Sequence, residues 1–137
     1  MTIEIYAKTG KENMQLASVC RLLHTTYWAH SRPDDVIEKS LDKSDCYGVF
    51  LKDTGEQIGF ARVVTDEATF FWLCDVIVDE RYRGIGAGRL LMETVRSVPK
   101  YKSMLGVLGT RDAHGLYEKF GFAADASGSF MRKPFGQ

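Results

Sequence analysis

The sequence predicts an α/β fold of the α+β kind, read as one domain over residues 1–137. Three observations carry that prediction. Thr69 to Val78 is an almost continuous apolar, β-branched or aromatic run, the pattern of a strand buried on both faces. After a short charged turn come three alternating glycines, Gly84, Gly86 and Gly88, and then Gly88, Leu91, Met92 and Val95 share one face of a helix. The surrounding patterns read β-α-α-β-β-β-α-β-α-β-β, with no repeat, low-complexity tract or linker between them.

Taken in order, Ile3 to Lys8 alternates and reads as an edge strand. Thr9-Gly10-Lys11-Glu12 has capping-box spacing, so the first helix is predicted from Lys11 to Leu23, with Leu16, Val19, Cys20 and Leu23 inward. A loop carrying His24, Tyr27, Trp28 and His30 leads to a second helix start at Ser31-Arg32-Pro33-Asp34, whose apolar face is Val36, Ile37 and Leu41. Cys46 to Leu51 and Ile58 to Val64 read as a hairpin about Lys52–Glu56. The glycine helix ends near Val98-Pro99, and Met104 to Leu108 reads as the next strand. A short helix follows Thr110-Arg111-Asp112, with Ala113, Leu116, Tyr117 and Phe120 inward and Gly121 as its stop. Phe122 to Ala124 and Ser129 to Arg132 are expected to be two last short strands.

Composition narrows the function classes. Lys+Arg 18 balance Asp+Glu 18, and no long basic run appears, so nucleic acid is not an expected partner. No apolar stretch is long enough to span a membrane, and the first residues do not pattern as a signal peptide. Cys20, Cys46 and Cys74 form no metal pattern and read as reduced thiols, which fits a cytoplasmic protein.

The glycine turn is where chemistry is expected. Alternating glycines let backbone approach a ligand closely, and a helix start offers free N–H groups at the positive end of its dipole. With Arg83 and Arg89 beside it, the turn from Arg83 through Gly84, Ile85, Gly86 and Ala87 to Gly88 reads as a pyrophosphate cradle. A P-loop would need Gly-Lys-Ser/Thr, and a dinucleotide fold a third glycine where Arg89 stands. Arg83-x-x-Gly86-x-Gly88 instead resembles the Arg/Gln-x-x-Gly-x-Gly/Ala motif of the GCN5-related N-acetyltransferases (GNAT). Ala113, Tyr117 and Gly121-Phe122 resemble that family's second signature.

That resemblance covers the whole order of elements. It implies a mixed, mainly antiparallel sheet splayed between the fourth and fifth strands, with acetyl-coenzyme A in the split. It implies main-chain bonds from Val76, Ile77 and Val78 to the pantetheine arm, and Tyr117 as general acid toward the coenzyme A sulfur. A core tyrosine is the competing reading. The family often has Asn where this chain has Thr110, so that cofactor contact is in question.

The acceptor side is less defined. Tyr27, Trp28 and Trp72 suggest an aromatic pocket for a small-molecule amine. Arg62 either binds an acceptor carboxylate or pairs with Asp66 or Asp75. By two-residue alternation Trp72, Cys74 and Val76 share the active face, with Asp75 turned away unless a bulge intervenes. Cys74 is a small core residue or, less simply, an acyl carrier. No residue stands out as the general base; His24, His30 and Asp66 lie on loops within reach. His114 is a helix-surface residue or a neighbour that tunes Tyr117. The competing functions are a protein or peptide acetyltransferase of the same fold and a non-catalytic acyl-coenzyme A-binding module. A homodimer remains open.

Overall fold

The alternating strands of the first half assemble into one sheet. In this computed structural model, which describes residues 2–136, five strands lie in the order β1-β2-β3-β4-β5. They are β1 (Ile5–Thr9), β2 (Asp45–Leu51), β3 (Gln57–Thr65), β4 (Phe70–Val78) and β5 (Leu105–Val107). The first four pair antiparallel, and β1 is an edge as its alternation predicts. β5 joins β4 in parallel, but only over Phe70–Trp72 against Leu105–Val107. Beyond Trp72, β4 runs on to Val78 with no strand beside it on that edge among the described residues, and this is the split in the sheet.

Helices cover both faces. α1 (Leu16–Leu23) and α2 (Asp34–Asp42) bury Val19, Leu22, Leu23, Ile37 and Leu41 against Cys46, Phe60 and Ile77. α3 (Ala87–Arg96) buries Leu91, Met92 and Val95 against Tyr47, Val49, Ala61, Val63, Phe71 and Leu73. The short α4 (His114–Glu118) adds Tyr117 to that second cluster. A fully buried aliphatic side chain contributes on the order of 1.5–3 kcal/mol, so these two clusters fix both helix layers.

One irregularity in β4 decides which side chains meet. Phe60 faces Ile77 and Arg62 faces Cys74, so Ala61 alone opposes both Asp75 and Val76. This is a β-bulge, and Asp75 takes the left-handed conformation, φ 56°, that Asp tolerates better than most residues. Before the bulge Phe71 and Leu73 pack on the α3 side; after it Val76 and Val78 do, while Ile77 packs under α1 and α2. Trp72 and Cys74 therefore share a face with Arg62, whereas Val76 is on the other.

Several expectations need correcting. β4 is not buried on both faces: its burial alternates, and Phe70 and Trp72 are exposed. The capping box does not form; Gly10 sits at φ 96°, Lys11–Asn13 make a 3-10 turn, and α1 begins only at Leu16. Pro33 caps α2 at the expected start, but Val36, expected on its apolar face, is exposed. The two last strands are absent among the described residues. There Asp125 accepts from the Ser127 N–H at 3.0 Å, Gly128 turns at φ 71°, and Pro134 removes a donor. Local turn chemistry outweighs the short apolar runs, and Phe130 and Met131 stay exposed.

Candidate active site

The cradle is built from backbone. β4 ends at Val78, and Asp79 caps a 3-10 turn, Glu80–Tyr82, by accepting the Arg81 N–H at 3.0 Å. Asp79 is buried and also accepts from the Arg81 and Arg21 guanidinium groups at 2.8 and 3.1 Å. Those donors, Arg81 first, hold its carboxyl far below the usual carboxylate range. The turn that follows is thereby anchored at its root. Gly84 and Gly86 take φ 82° and 92°, and a Cβ on either would meet no protein atom within 4 Å. The backbone there is open to a ligand. The first bond of α3 runs from the Leu90 N–H to the Gly86 carbonyl at 2.9 Å, so the N–H groups of Ala87, Gly88 and Arg89 have no intrahelical acceptor. Arg83 is exposed and unpaired among the described residues, while Arg89 pairs with Glu93 at 3.0 Å. Three free N–H groups, the helix dipole and one unspent cation suit a diphosphate. A Cβ at Gly88 would stand 3.9 Å from the Val78 methyl, an ordinary contact, so packing against β4 does not by itself require glycine there.

Tyr117 is positioned by Ala113 and Phe122. α4 is short, its Tyr117 N–H bonds the Ala113 carbonyl at 3.3 Å, and the ring meets Phe122 edge-on at 6.4 Å. Tyr117 is 9% exposed, and its hydroxyl has no hydrogen-bond partner among the described residues. Burial pushes its pKa up to about 12, with Asp112 and Tyr27 adding to the rise. The phenol therefore holds its proton at any physiological pH.

On the opposite face of the sheet from α3 lies a cluster of side chains. Asp75 Oδ2 accepts from Arg32 Nη1 at 2.8 Å and Arg62 Nε at 2.9 Å, and its Oδ1 from the Trp28 indole at 3.1 Å. Arg62 also donates to Ser44 Oγ at 3.0 Å. Tyr27 meets Trp28 edge-on at 4.9 Å, and the Arg111 guanidinium lies 3.7 Å over the Tyr27 ring. That contact joins the α1–α2 loop to the segment leading into α4.

A glycine turn at a helix start, a partnerless phenol and an aromatic cluster thus lie about one split sheet. Residues 43–124 match the model of the acetyltransferase (GNAT) domain. The chain belongs to the GNAT acetyltransferase family. A Xanthomonas campestris structure described as a candidate acetyltransferase of that family is 33% identical, covers 98% of this chain and 95% of its own, and superposes with a TM-score of 0.89. A Gibberella zeae protein described as a candidate acetyltransferase is 29% identical over 113 residues, 68% of this chain and 63% of that protein. The Arabidopsis thaliana glucosamine-6-phosphate N-acetyltransferase shares the fold at 16% identity, with a TM-score of 0.71 over 96% of this chain and 99% of its own.

Within the GNAT frame the predicted residues fall into two groups. Arg83 to Gly88 form the cradle, and Val76, Ile77 and Val78 line the unpaired edge of β4. Trp28, Arg62 and Cys74 come together about Asp75, with Tyr27 and Trp72 beside them and half exposed. Thr110 Oγ1 accepts the Ala113 N–H at 3.1 Å, just ahead of α4. Burial pushes the Cys74 thiol up to about 11, away from the thiolate form that a nucleophile needs. Asp66 accepts from Ala68, Thr69 and Phe70 N–H groups in its turn. His24 Nε2 and His30 Nδ1 lie 2.8 and 3.2 Å from the Arg32 and Tyr27 carbonyls. A cavity of about 280 Å³ lies elsewhere on the α3 face, lined by Phe71, Met92, Val95, Tyr101, Phe120 and Phe122, and it touches neither Tyr117 nor the cradle.

Arg32, Arg111 and Asp79 are the site residues that sequence reasoning missed. An acid within an apolar strand, Asp75, was the available signal, because a buried carboxylate demands cationic or N–H partners. Nothing local says which arginines answer it.

Proposed function

We propose that this chain transfers the acetyl group of acetyl-coenzyme A to the primary amine of a small molecule by direct attack, with Tyr117 as general acid. The observation that carries this reading is the buried Tyr117 phenol, protonated and without a protein partner, in the same core cluster as α3, the helix that the cradle opens. Acetyl-coenzyme A supplies an activated thioester. Arg83 and the N–H groups of Ala87, Gly88 and Arg89 hold its diphosphate, and the free edge of Val76, Ile77 and Val78 aligns its arm.

Two protons must move. An amine of pKa about 10.4 costs roughly 4–5 kcal/mol to neutralise at pH 7. His24 and His30 each turn one ring nitrogen to a carbonyl of their own loop, and in this reading the amine proton leaves through water. Tyr117 Oη donates to the departing sulfur. Burial raises the proton affinity of a thiolate as it raises that of the phenol, so donation within this setting stays balanced.

A small acceptor is favoured over a peptide because Arg111 on Tyr27 narrows the approach. A non-catalytic acyl-binding module would have no use for a free phenol. The experiment is Tyr117→Phe, which keeps the ring and removes the hydroxyl. We expect kcat to fall about 10²–10⁴-fold, with melting temperature and acetyl-coenzyme A affinity nearly unchanged. Turnover within about threefold of wild type would overturn the role of Tyr117.

A further inference from the structure

The cluster about Asp75 holds two guanidinium groups against one carboxylate. Asp75 and its arginines are almost out of solvent, with side chains 2%, 18% and 15% exposed for Asp75, Arg32 and Arg62. Of the acids on the flanking segments, Asp42 pairs with Lys11, Asp45 pairs with Lys100 and accepts from Tyr101, and Asp34 is exposed, 3.4 Å from His24. The cluster therefore carries a surplus positive charge in a largely desolvated place, which is costly unless something offsets it.

The donors are also in surplus. A guanidinium has five N–H groups. Arg62 spends Nε on Asp75 and Nη1 on Ser44, and Arg32 spends only Nη1. No fully buried side-chain nitrogen or oxygen lacks a partner among the described residues. The unspent N–H groups are therefore reachable from outside, on the sheet face that also carries Trp72 and Cys74. Asp75 fixes both guanidinium planes and so pre-organises the donors for a planar anion.

We infer that the acceptor is an amine that also bears a carboxylate, and that Arg32 and Arg62 bind that carboxylate while the amine turns toward the split. This rests on the acetyl-transfer reading above and names its substrate class. Pairing with Asp75 and binding a substrate are then not rival roles for Arg62: Asp75 uses one side of the guanidinium and the acceptor another.

The test is equilibrium binding to the full chain saturated with coenzyme A, using short ω-amino carboxylates and their matching carboxamides as probes. Each pair differs only in the anion. We expect the carboxylate to bind roughly 10- to 100-fold tighter than its amide. Arg32→Gln, which leaves Asp75 with Arg62 and Trp28, should reduce that preference to about threefold or less. Arg32→Lys should keep part of it, since the charge remains and the fork is lost. Equal binding of acid and amide across the series, or no binding of either, overturns the inference in the wild-type chain alone. A preference that survives both Arg32→Gln and Arg62→Gln places the anion elsewhere and overturns it too. Because these are binding measurements, none of them bears on turnover. Loss of the acetyl-transfer reading would appear separately, as failure of the loaded chain to acetylate any amine.

Discussion

The two halves of the proposed site are made of different material. The cradle is backbone: two glycines at positive φ, three free N–H groups and one exposed arginine, all within Arg83 to Arg89. The acceptor side is side chain, drawn from positions far apart: Trp28 and Arg32 in a loop, Arg62 on β3 and Asp75 on β4. A backbone site must be contiguous, so it leaves a motif. A side-chain site is assembled by pairing and bulges, and it leaves only isolated oddities such as a charged residue in an apolar strand. The two sides should accordingly fail in different ways.

The largest expected effect is on the acceptor side. Asp75→Asn keeps the shape but leaves two buried guanidinium groups facing each other. Removing one partner of a buried ion pair costs about 3–5 kcal/mol. For a chain of this size the melting temperature should fall by more than about 10 °C. Thermal unfolding of the variant checks this, and a fall of only a degree or two would show that the cluster is solvated and not a fixed scaffold.

Gly86→Val strikes the cradle instead. The φ of 92° is unfavourable for a branched residue, and the side chain would project where no protein atom stands. Acetyl-coenzyme A at 100 times its dissociation constant should stabilise the wild-type chain by about 2.7 kcal/mol. In the variant that ligand-induced shift should vanish, while acceptor-side probes still bind. A full shift in Gly86→Val would remove the cradle from this account.

How much was legible follows from the same contrast. Strands β2, β3 and β4 were legible as apolar runs between turns, and helix α3 from its helical periodicity, although the burial of β4 turned out to alternate. The Gly84–Gly88 turn was legible because only glycine suits its positive φ positions. The bulge was not: two-residue alternation places Asp75 away from Arg62, and only the Phe60–Ile77 and Arg62–Cys74 register brings them together. The start of α1 was misread because Gly10 at φ 96° breaks the chain direction before the apolar face begins. The end of the chain was misread because Asp125, Ser127 and Gly128 turn it too tightly for strands.

Trp28→Phe sharpens the comparison. It keeps an aromatic against Tyr27 but deletes the indole donor to Asp75. A hydrogen bond to a charged group is worth about 1.5–3 kcal/mol, and the half-exposed position of Trp28 puts the loss at the low end. The melting temperature should fall by roughly 5 °C and the acceptor KM should rise. Acetyl-coenzyme A affinity, measured by titration, should stay the same. If it weakens in step with the acceptor, the two sides are not separable.

The smallest effect belongs to Asp79, which roots the cradle. Its folded carboxyl is depressed by Arg81 and Arg21, so it stabilises the fold above the unfolded value of about 3.9. That contribution is lost as pH falls toward the lower folded value. At pH 3 an unfolded aspartate has largely bound its proton and the folded one has not, which removes about 1.3 kcal/mol relative to pH 7. Other carboxylates titrate too, so the quantity to measure is the stability gap between wild type and Asp79→Asn, by denaturant unfolding at pH 7, 5 and 3. The gap should hold from pH 7 to 5 and narrow by about 1.3 kcal/mol at pH 3. A gap independent of pH would mean that Asp79 anchors the turn by shape and not by charge. The cradle would then rest on its backbone alone.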